Sequence, residues 1–503
     1  MVLFLVLVSY ILVVSSAQVL ELTPGKILGF DHETKKGEFA EVFLNVPYVS
    51  PPIGDLRFEV DFIASFWNFP NEINDSWMSL QKPIPPKPWK GLRDGTKFGA
   101  SCIQLLREFT PPTEQTSEDC LTLNIIRPKK EAPQTGFPIL FWVHGGGYEA
   151  GSAPFYGYQG FADIYAAQDV IVVTIQYRLG VYGFFSTGDS QMPGNLGLWD
   201  MAEALMFIHA NAENFGGDPR SITVWGHSAG SAAVGQLILS PITRDYIVRS
   251  IEMSGSPWGS WSLGSSVANN SLELAQALGC YSNIKACMKQ KTIEEIYNGI
   301  EQVEAVKKVY IGAHLEELLN DIVSYYVDRD EEQHFEFYVD RYTEFLSDLL
   351  FVVPSADGIL ARRAAGWDMY AYSLDHYNEA IWDKDVPKRL KGAPHGCEFQ
   401  YTKAMSFCKK FHMDEEEQVV ADVFRQSFIE FVRIGDPSNE HEVWLEVGEG
   451  KDLRYMQITP NPLMKLGFYN GSTSFWHEMR KFDFDMVQTL PTTTSPKQTK
   501  QEL

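Results

Sequence analysis

One stretch constrains the fold more than any other. Ile222-Thr223-Val224-Trp225 runs directly into Gly226-His227-Ser228-Ala229-Gly230, and the small residues Ser231-Ala232-Ala233-Val234-Gly235 follow. The apolar and β-branched lead reads as a buried strand, and the small-residue run opens a helix. Between them the chain must turn sharply. Gly226 and Gly230 carry no Cβ, so the backbone can pass close to itself there. Ser228 is then pushed out at the strand end, beside the positive end of the following helix. Glycine and serine are common, so the pentapeptide alone says little. A second stretch sharpens it. Phe137-Pro138-Ile139-Leu140-Phe141-Trp142-Val143 reads as another buried strand and ends in His144-Gly145-Gly146-Gly147. A glycine run of this kind exposes backbone N–H groups to a developing oxyanion. The pairing marks Ser228 as a nucleophile, with the N–H groups of Gly146, Gly147 and Ala229 as oxyanion donors.

The rest of the chain alternates strands with helices. Val170 to Ile175 reads as a strand, with Tyr177-Arg178-Leu179-Gly180 at its end. Asn195 leads a helix to about Asn211, and Val248 to Met253 is a further strand that ends at Ser254-Gly255-Ser256. This order predicts an α/β fold, a mostly parallel central sheet with helices on both faces. Val19 to Gly54 has the short runs and turns of an antiparallel entry sheet. Met369 to Leu374 is strand-like. Glu415 to Ile434 places Val420, Phe424, Phe428 and Phe431 at helical spacing, and Gly435-Asp436-Pro437 ends that helix.

The net charge of −23 argues against nucleic-acid binding, which needs basic patches. Val2 to Val14 is an apolar run too short to span a membrane, and Ser15 and Ala17 suit a cleavage site before Gln18. The expected organisation is a signal peptide over 1–17, one domain over 18–485, and a flexible Thr/Pro-bearing tail over 486–503. No transmembrane span is expected. Entry to the secretory pathway makes disulfides an expectation. The six cysteines form close sequential pairs, and Cys102 with Cys120 and Cys280 with Cys287 are the pairs expected to bond. Cys397 and Cys408 stay open, because Cys397 lies beside a residue assigned to chemistry below. No CxxC or histidine cluster points to a metal. Asn74, Asn269 and Asn470 head glycosylation sequons.

Several segments together carry a resemblance. Phe43-Leu44-Asn45-Val46-Pro47-Tyr48 with Pro51-Pro52-Ile53-Gly54-Asp55-Leu56-Arg57-Phe58, then Pro85-Pro86-Lys87-Pro88-Trp89, Phe98-Gly99-Ala100-Ser101-Cys102 and Glu118-Asp119-Cys120-Leu121-Thr122-Leu123-Asn124, resemble the carboxylesterase/cholinesterase family of type-B esterases. Glu59 to Gln81 has no counterpart in that pattern. The look is that of gut-esterase-like carboxylesterases. His227 stands where cholinesterases carry Glu, and the Cys102–Cys120 loop lacks their choline-binding Trp.

The resemblance implies an α/β-hydrolase fold and a Ser, acid, His order. Gly392-Ala393-Pro394-His395-Gly396-Cys397-Glu398-Phe399 resembles the family's histidine loop, which makes His395 the base. The family's serine that matches Ser254 lies near the triad. Ile311-Gly312-Ala313-His314-Leu315-Glu316-Glu317 resembles the acid segment, with the acid five residues after a glycine, at Glu317. A rival reading exists. Leu315, Leu318, Leu319 and Ile322 recur at helical spacing, the Pro-Val-x-Asp-Gly segment is missing, and Ser228 and His395 are closer in sequence than in the family. On that reading Glu316 and Glu317 are solvated helix residues.

The expected function is a serine carboxylesterase acting on a small-molecule ester, with no cofactor or metal implied. The second reading is a catalytically impaired binding or adhesion protein on the same scaffold. Lys500-Gln501-Glu502-Leu503 resembles the Lys-Asp-Glu-Leu retention signal, so the endoplasmic reticulum lumen is the expected location, with secretion second.

Overall fold

The computed structural model describes residues 18–59, 85–104, 114–264, 266–302, 314–403, 405 and 408–491. The signal segment 1–17, Asn74, nearly all of the 59–81 insertion and the Lys500–Leu503 terminus lie outside the described residues.

The architecture is set by one nine-stranded sheet. Its strands are β1 (Gln18–Leu22), β2 (Gly25–Glu33), β3 (Phe39–Pro47), β4 (Thr122–Pro128), β5 (Phe137–Val143), β6 (Ile171–Ile175), β7 (Gly217–His227) and β8 (Arg249–Met253), with a short strand, Leu92–Asp94, beside β2. The spatial order is β1-β2-β3-β4-β6-β5-β7-β8. From β1 to the β4–β6 pair the strands run antiparallel, and β1 to β3 of this run are the entry sheet expected over Val19 to Gly54. The side that carries the chemistry, β6-β5-β7-β8, is parallel throughout.

Parallel strands are buried on both faces because their crossover helices cover them. The side chains of β5 show it. Phe141 and Val143 pack into one core with Val224 and with Met201, Leu205 and Ile208 of α1 (Leu196–Asn211), and with Val234 and Leu237 of α2 (Ala229–Leu239). Leu140 and Trp142 point the other way, into a second core. α3 (Val267–Ala277) packs into a smaller cluster with the Cys280 loop.

The C-terminal half adds α4 (Leu315–Tyr326), α5 (Phe335–Ser347), α6 (Val353–Ala364), the short α7 (Phe399–Lys403) and α8 (Glu415–Ile434). α8 begins and ends where expected. Asp414 and Glu417 form a capping box at its start, and Gly435 closes it at φ 85°. Its Val420, Phe424, Phe428 and Val432 fill the second core against Trp142 and Trp225, while Phe431 packs at its edge. Strand β9 (Tyr372–Leu374) pairs with β10 (Arg454–Ile458), and β10 with β11 (Leu463–Leu466), in a three-stranded sheet of its own.

Cys102–Cys120 and Cys280–Cys287 are bonded as expected, and Cys397–Cys408 is bonded as well. Among the described residues no helix is long and apolar enough to cross a membrane.

The packing yields a stability test. Phe424 is fully buried between α8 and the sheet, so Phe424→Ala should cost about 3–5 kcal/mol and lower the denaturation midpoint clearly. Phe335, 76% exposed, should tolerate the same change with a shift under about 0.5 kcal/mol. Equal midpoints for the two variants would contradict this placement of α8.

Candidate active site

β7 ends at His227, α2 begins at Ala229, and Ser228 alone makes the turn, with φ 57° and ψ −123°. A non-glycine residue held there is a strained bend of the kind that functional sites keep. Its N–H donates to Met253 O at 2.9 Å, which carries the parallel ladder one step past the strand. The flanking glycines are steric necessities. A Cβ on Gly226 would sit 2.1 Å from Gly230 O, and one on Gly230 would sit 2.2 Å from Val143 O.

The glycine run lies against this bend. A Cβ on Gly145 would meet His227 O at 2.5 Å and the Ser228 Cβ at 3.0 Å. Gly146 (φ 118°) and Gly147 (φ 63°) turn the loop back, and Gly146 O accepts from Glu149 N–H and Ala150 N–H. Among the described residues no group takes the N–H of Gly146, Gly147 or Ala229. The adjoining His144 belongs to the scaffold. It is buried, it stacks on Tyr177 at 4.4 Å, and burial lowers its pKa to about 4.

His395 is delivered by a tight turn. Cys397 N–H donates to Pro394 O at 3.1 Å, and Gly396 adopts φ 87°. α7 follows and is clamped to α8 by Arg425, whose Nε donates to Tyr401 O at 2.6 Å. The His395 ring sits 4.5 Å from that of His227, the neighbour of Ser228, and 4.8 Å from Phe351. No hydrogen bond joins Ser228 Oγ to His395 among the described residues. Catalytic contacts in a free enzyme often tighten only with substrate. The ring touches both His227 and Phe351, yet the residue as a whole is exposed to solvent. Burial, with His227 adding to it and Glu398 opposing it, lowers its pKa to about 4.

Glu317 is not brought to this site. It lies on α4, its side chain is 62% exposed, and its carboxylate is 3.4 Å from Nδ1 of His314, the N-cap residue of that helix. This corrects the acid assignment: a carboxylate in solvent, already facing its helix neighbour, cannot orient a ring elsewhere. The helical reading of the segment holds, although of its stripe only Leu318 is fully buried.

The carboxylate that the structure does bring in is Glu398. It is buried, its Oε1 is 3.3 Å from His227 Nε2, and Ser254 Oγ donates to the same oxygen at 3.4 Å. Burial would raise its pKa, but the charges of His227 and His395 outweigh that and hold it below the usual carboxylate range. The sequence reading quoted Glu398 within the histidine loop and gave it no role. The available signal was its place three residues after His395, which puts both on one turn.

The sequence pattern of the carboxylesterase family matches residues 78–314 and 298–476. The join falls at 298–314, directly before Glu317 and where the Pro-Val-x-Asp-Gly segment is missing. Gut esterase 1 of Caenorhabditis elegans is 33% identical over 96% of this chain and 97% of its own length. Cocaine esterase of Oryctolagus cuniculus is 28% identical over 86% and 90%, and liver carboxylesterase 1F of Rattus norvegicus 34% over 58% and 51%. The names are those of esterases and lend the non-catalytic reading no support.

The lowered pKa of His395 has a kinetic consequence. A general base must be unprotonated, and a lowered pKa keeps it so in more acid solution. The acid limb of kcat/KM should therefore lie below the 6.5 of free imidazole. A limb centred at or above 6.5 would show that the ring is not held in this environment.

Proposed function

Since the chain belongs to the carboxylesterase family, we propose that it hydrolyses small carboxylic esters through an acyl-enzyme formed on Ser228. Ser228 Oγ attacks the ester carbonyl while His395 takes its proton. The carbonyl oxygen becomes an oxyanion, and the N–H groups of Gly146, Gly147 and Ala229 hold it. His395 returns the proton to the leaving alcohol. Water then attacks the acyl-enzyme by the same proton path and frees the acid.

One observation carries the reading: a serine at φ 57° facing a glycine loop in which the N–H groups of Gly146 and Gly147 have no partner among the described residues. Donors fixed before the reaction cost no reorganisation when charge develops, and one of them is worth about 10²–10³ in turnover. The sum of such terms separates an esterase from a serine turn.

The lumen of the endoplasmic reticulum is the proposed location. The apolar Val2–Val14 run and the Lys500–Leu503 terminus support it, and three disulfides fit an oxidising compartment. Of the described sequons, Asn269 is exposed on α3, whereas the Asn470 side-chain amide donates to Asp452. Asn269 is thus the better glycan acceptor.

Covalent labelling tests the chemistry. A fluorophosphonate should modify the wild type and leave Ser228→Ala unmarked, and hydrolysis of a short-chain aryl ester should fall by at least about 10³-fold in that variant. Equal labelling of both proteins would remove Ser228 from the mechanism. For location, deleting Lys500–Leu503 should send the protein to the medium; unchanged retention would count against the terminal signal.

A further inference from the structure

The site has a nucleophile, a base and oxyanion donors, but the carboxylate expected to steady the base points into solvent from α4. A serine hydrolase cannot easily do without that charge, because the histidine must carry a full positive charge while the serine attacks. The geometry points to Glu398: held against His227, it supplies the negative charge that steadies the imidazolium formed at His395. The inference rests on the esterase reading above and names the missing part of that same site.

Glu398 leaves the same turn that presents His395, so the two are fixed relative to each other by local backbone bonds. The Cys397–Cys408 disulfide lies between them and ties the turn to the far end of the loop. His227 bridges the distance. Its ring is 4.5 Å from that of His395, and its Nε2 is 3.3 Å from Glu398 Oε1.

That last contact has ion-pair separation, and among the described residues its geometry falls short of an aligned hydrogen bond. The Ser254 hydroxyl, at 3.4 Å, is a long contact as well. The carboxylate is held in its charged form by the two histidines, so its negative charge is in place before the reaction. A proton arriving on His395 is attracted by that charge, and beside a buried carboxylate the attraction is stronger than in water. The interaction thus strengthens as the reaction proceeds, which is what lowers a barrier.

The other titratable groups that face Glu398 do not replace this. Tyr156 and Tyr372 are buried phenols whose pKa values are pushed up by burial. Lys403 is buried among the rings of Trp142, Trp225 and Phe399, and among the described residues its Nζ has no hydrogen-bond partner. Burial drives its pKa well down, opposed by the charge of Glu398, and no ion pair joins the two among the described residues.

The test compares Glu398→Gln, Glu398→Asp, Ser254→Ala and Glu317→Gln on one aryl ester across pH. Glu398→Gln should lower kcat about 10²–10³-fold with KM within about threefold. Its acid limb should move to lower pH, because the removed charge had raised the His395 pKa. Glu398→Asp keeps the charge and should recover at least about tenfold of the loss. Ser254→Ala removes a donor from Glu398 and leaves its charge, so its acid limb should move slightly to higher pH, opposite to Glu398→Gln. Glu317→Gln should stay within about twofold of the wild type.

The inference falls if Glu398→Gln keeps kcat within about threefold, if its acid limb stays put, or if Glu317→Gln is the damaging change. If Glu398→Gln does not fold, Glu398→Ala takes its place, and an unmoved limb in that variant overturns the inference. A wild type that resists fluorophosphonate would instead sink the esterase reading. Normal labelling of the wild type with an unimpaired Glu398→Gln sinks only the role of Glu398.

Discussion

Everything functional in this molecule depends on how closely two strand ends approach. β5 and β7 are in register, with Trp142 opposite Trp225 and Val143 opposite Gly226. Both strands therefore finish at the same level, and the bend after one meets the glycine loop after the other. The gap is closed by absent side chains, since any Cβ on Gly145, Gly226 or Gly230 would strike backbone. A single methyl group there would separate the nucleophile from its oxyanion donors. Parallel pairing is what allows this, because it places the carboxyl ends of adjacent strands side by side.

The packing behind the strands keeps that register. Trp142 and Trp225 lie edge to face at 4.6 Å, and Phe428 of α8 meets Trp225 at 5.7 Å. α7 leans on the same rings through Phe399, which also contacts the His227 ring at 4.5 Å. One aromatic cluster thus supports the nucleophile strand from behind and the histidine loop from the side. A one-residue slip of β7 would move Trp225 to the opposite face and lose this cluster and the bend together.

Polar groups near the site are few and consequential. His144 is kept out of the chemistry by burial and by stacking on Tyr177. Glu398 is a buried carboxylate whose neighbours are histidines, a hydroxyl, two phenols and a lysine enclosed by rings. Low dielectric magnifies each of these relations. The electrostatics of the site is decided by which of them lies within about 4 Å, more than by the net charge of the chain.

What could be read from the residues alone was whatever local periodicity and turn chemistry dictate. The strand–turn–helix around Ser228, the glycine run after β5, the span and caps of α8, the helix to Asn211 and two of the disulfide pairs follow from patterns a few residues long. These limit the backbone wherever the segment ends up. The carboxylate of the site could not be read this way. Glu317 matched a local pattern, but helical spacing over Leu315–Ile322 competed with it, and the helix carried its carboxylate into solvent. Glu398 sat unremarked beside His395, because a carboxylate acquires meaning from its distance to a charge and from the water it has lost. Those two quantities belong to the packed molecule, which is why tertiary structure, and not sequence, chose the acid that faces the histidines.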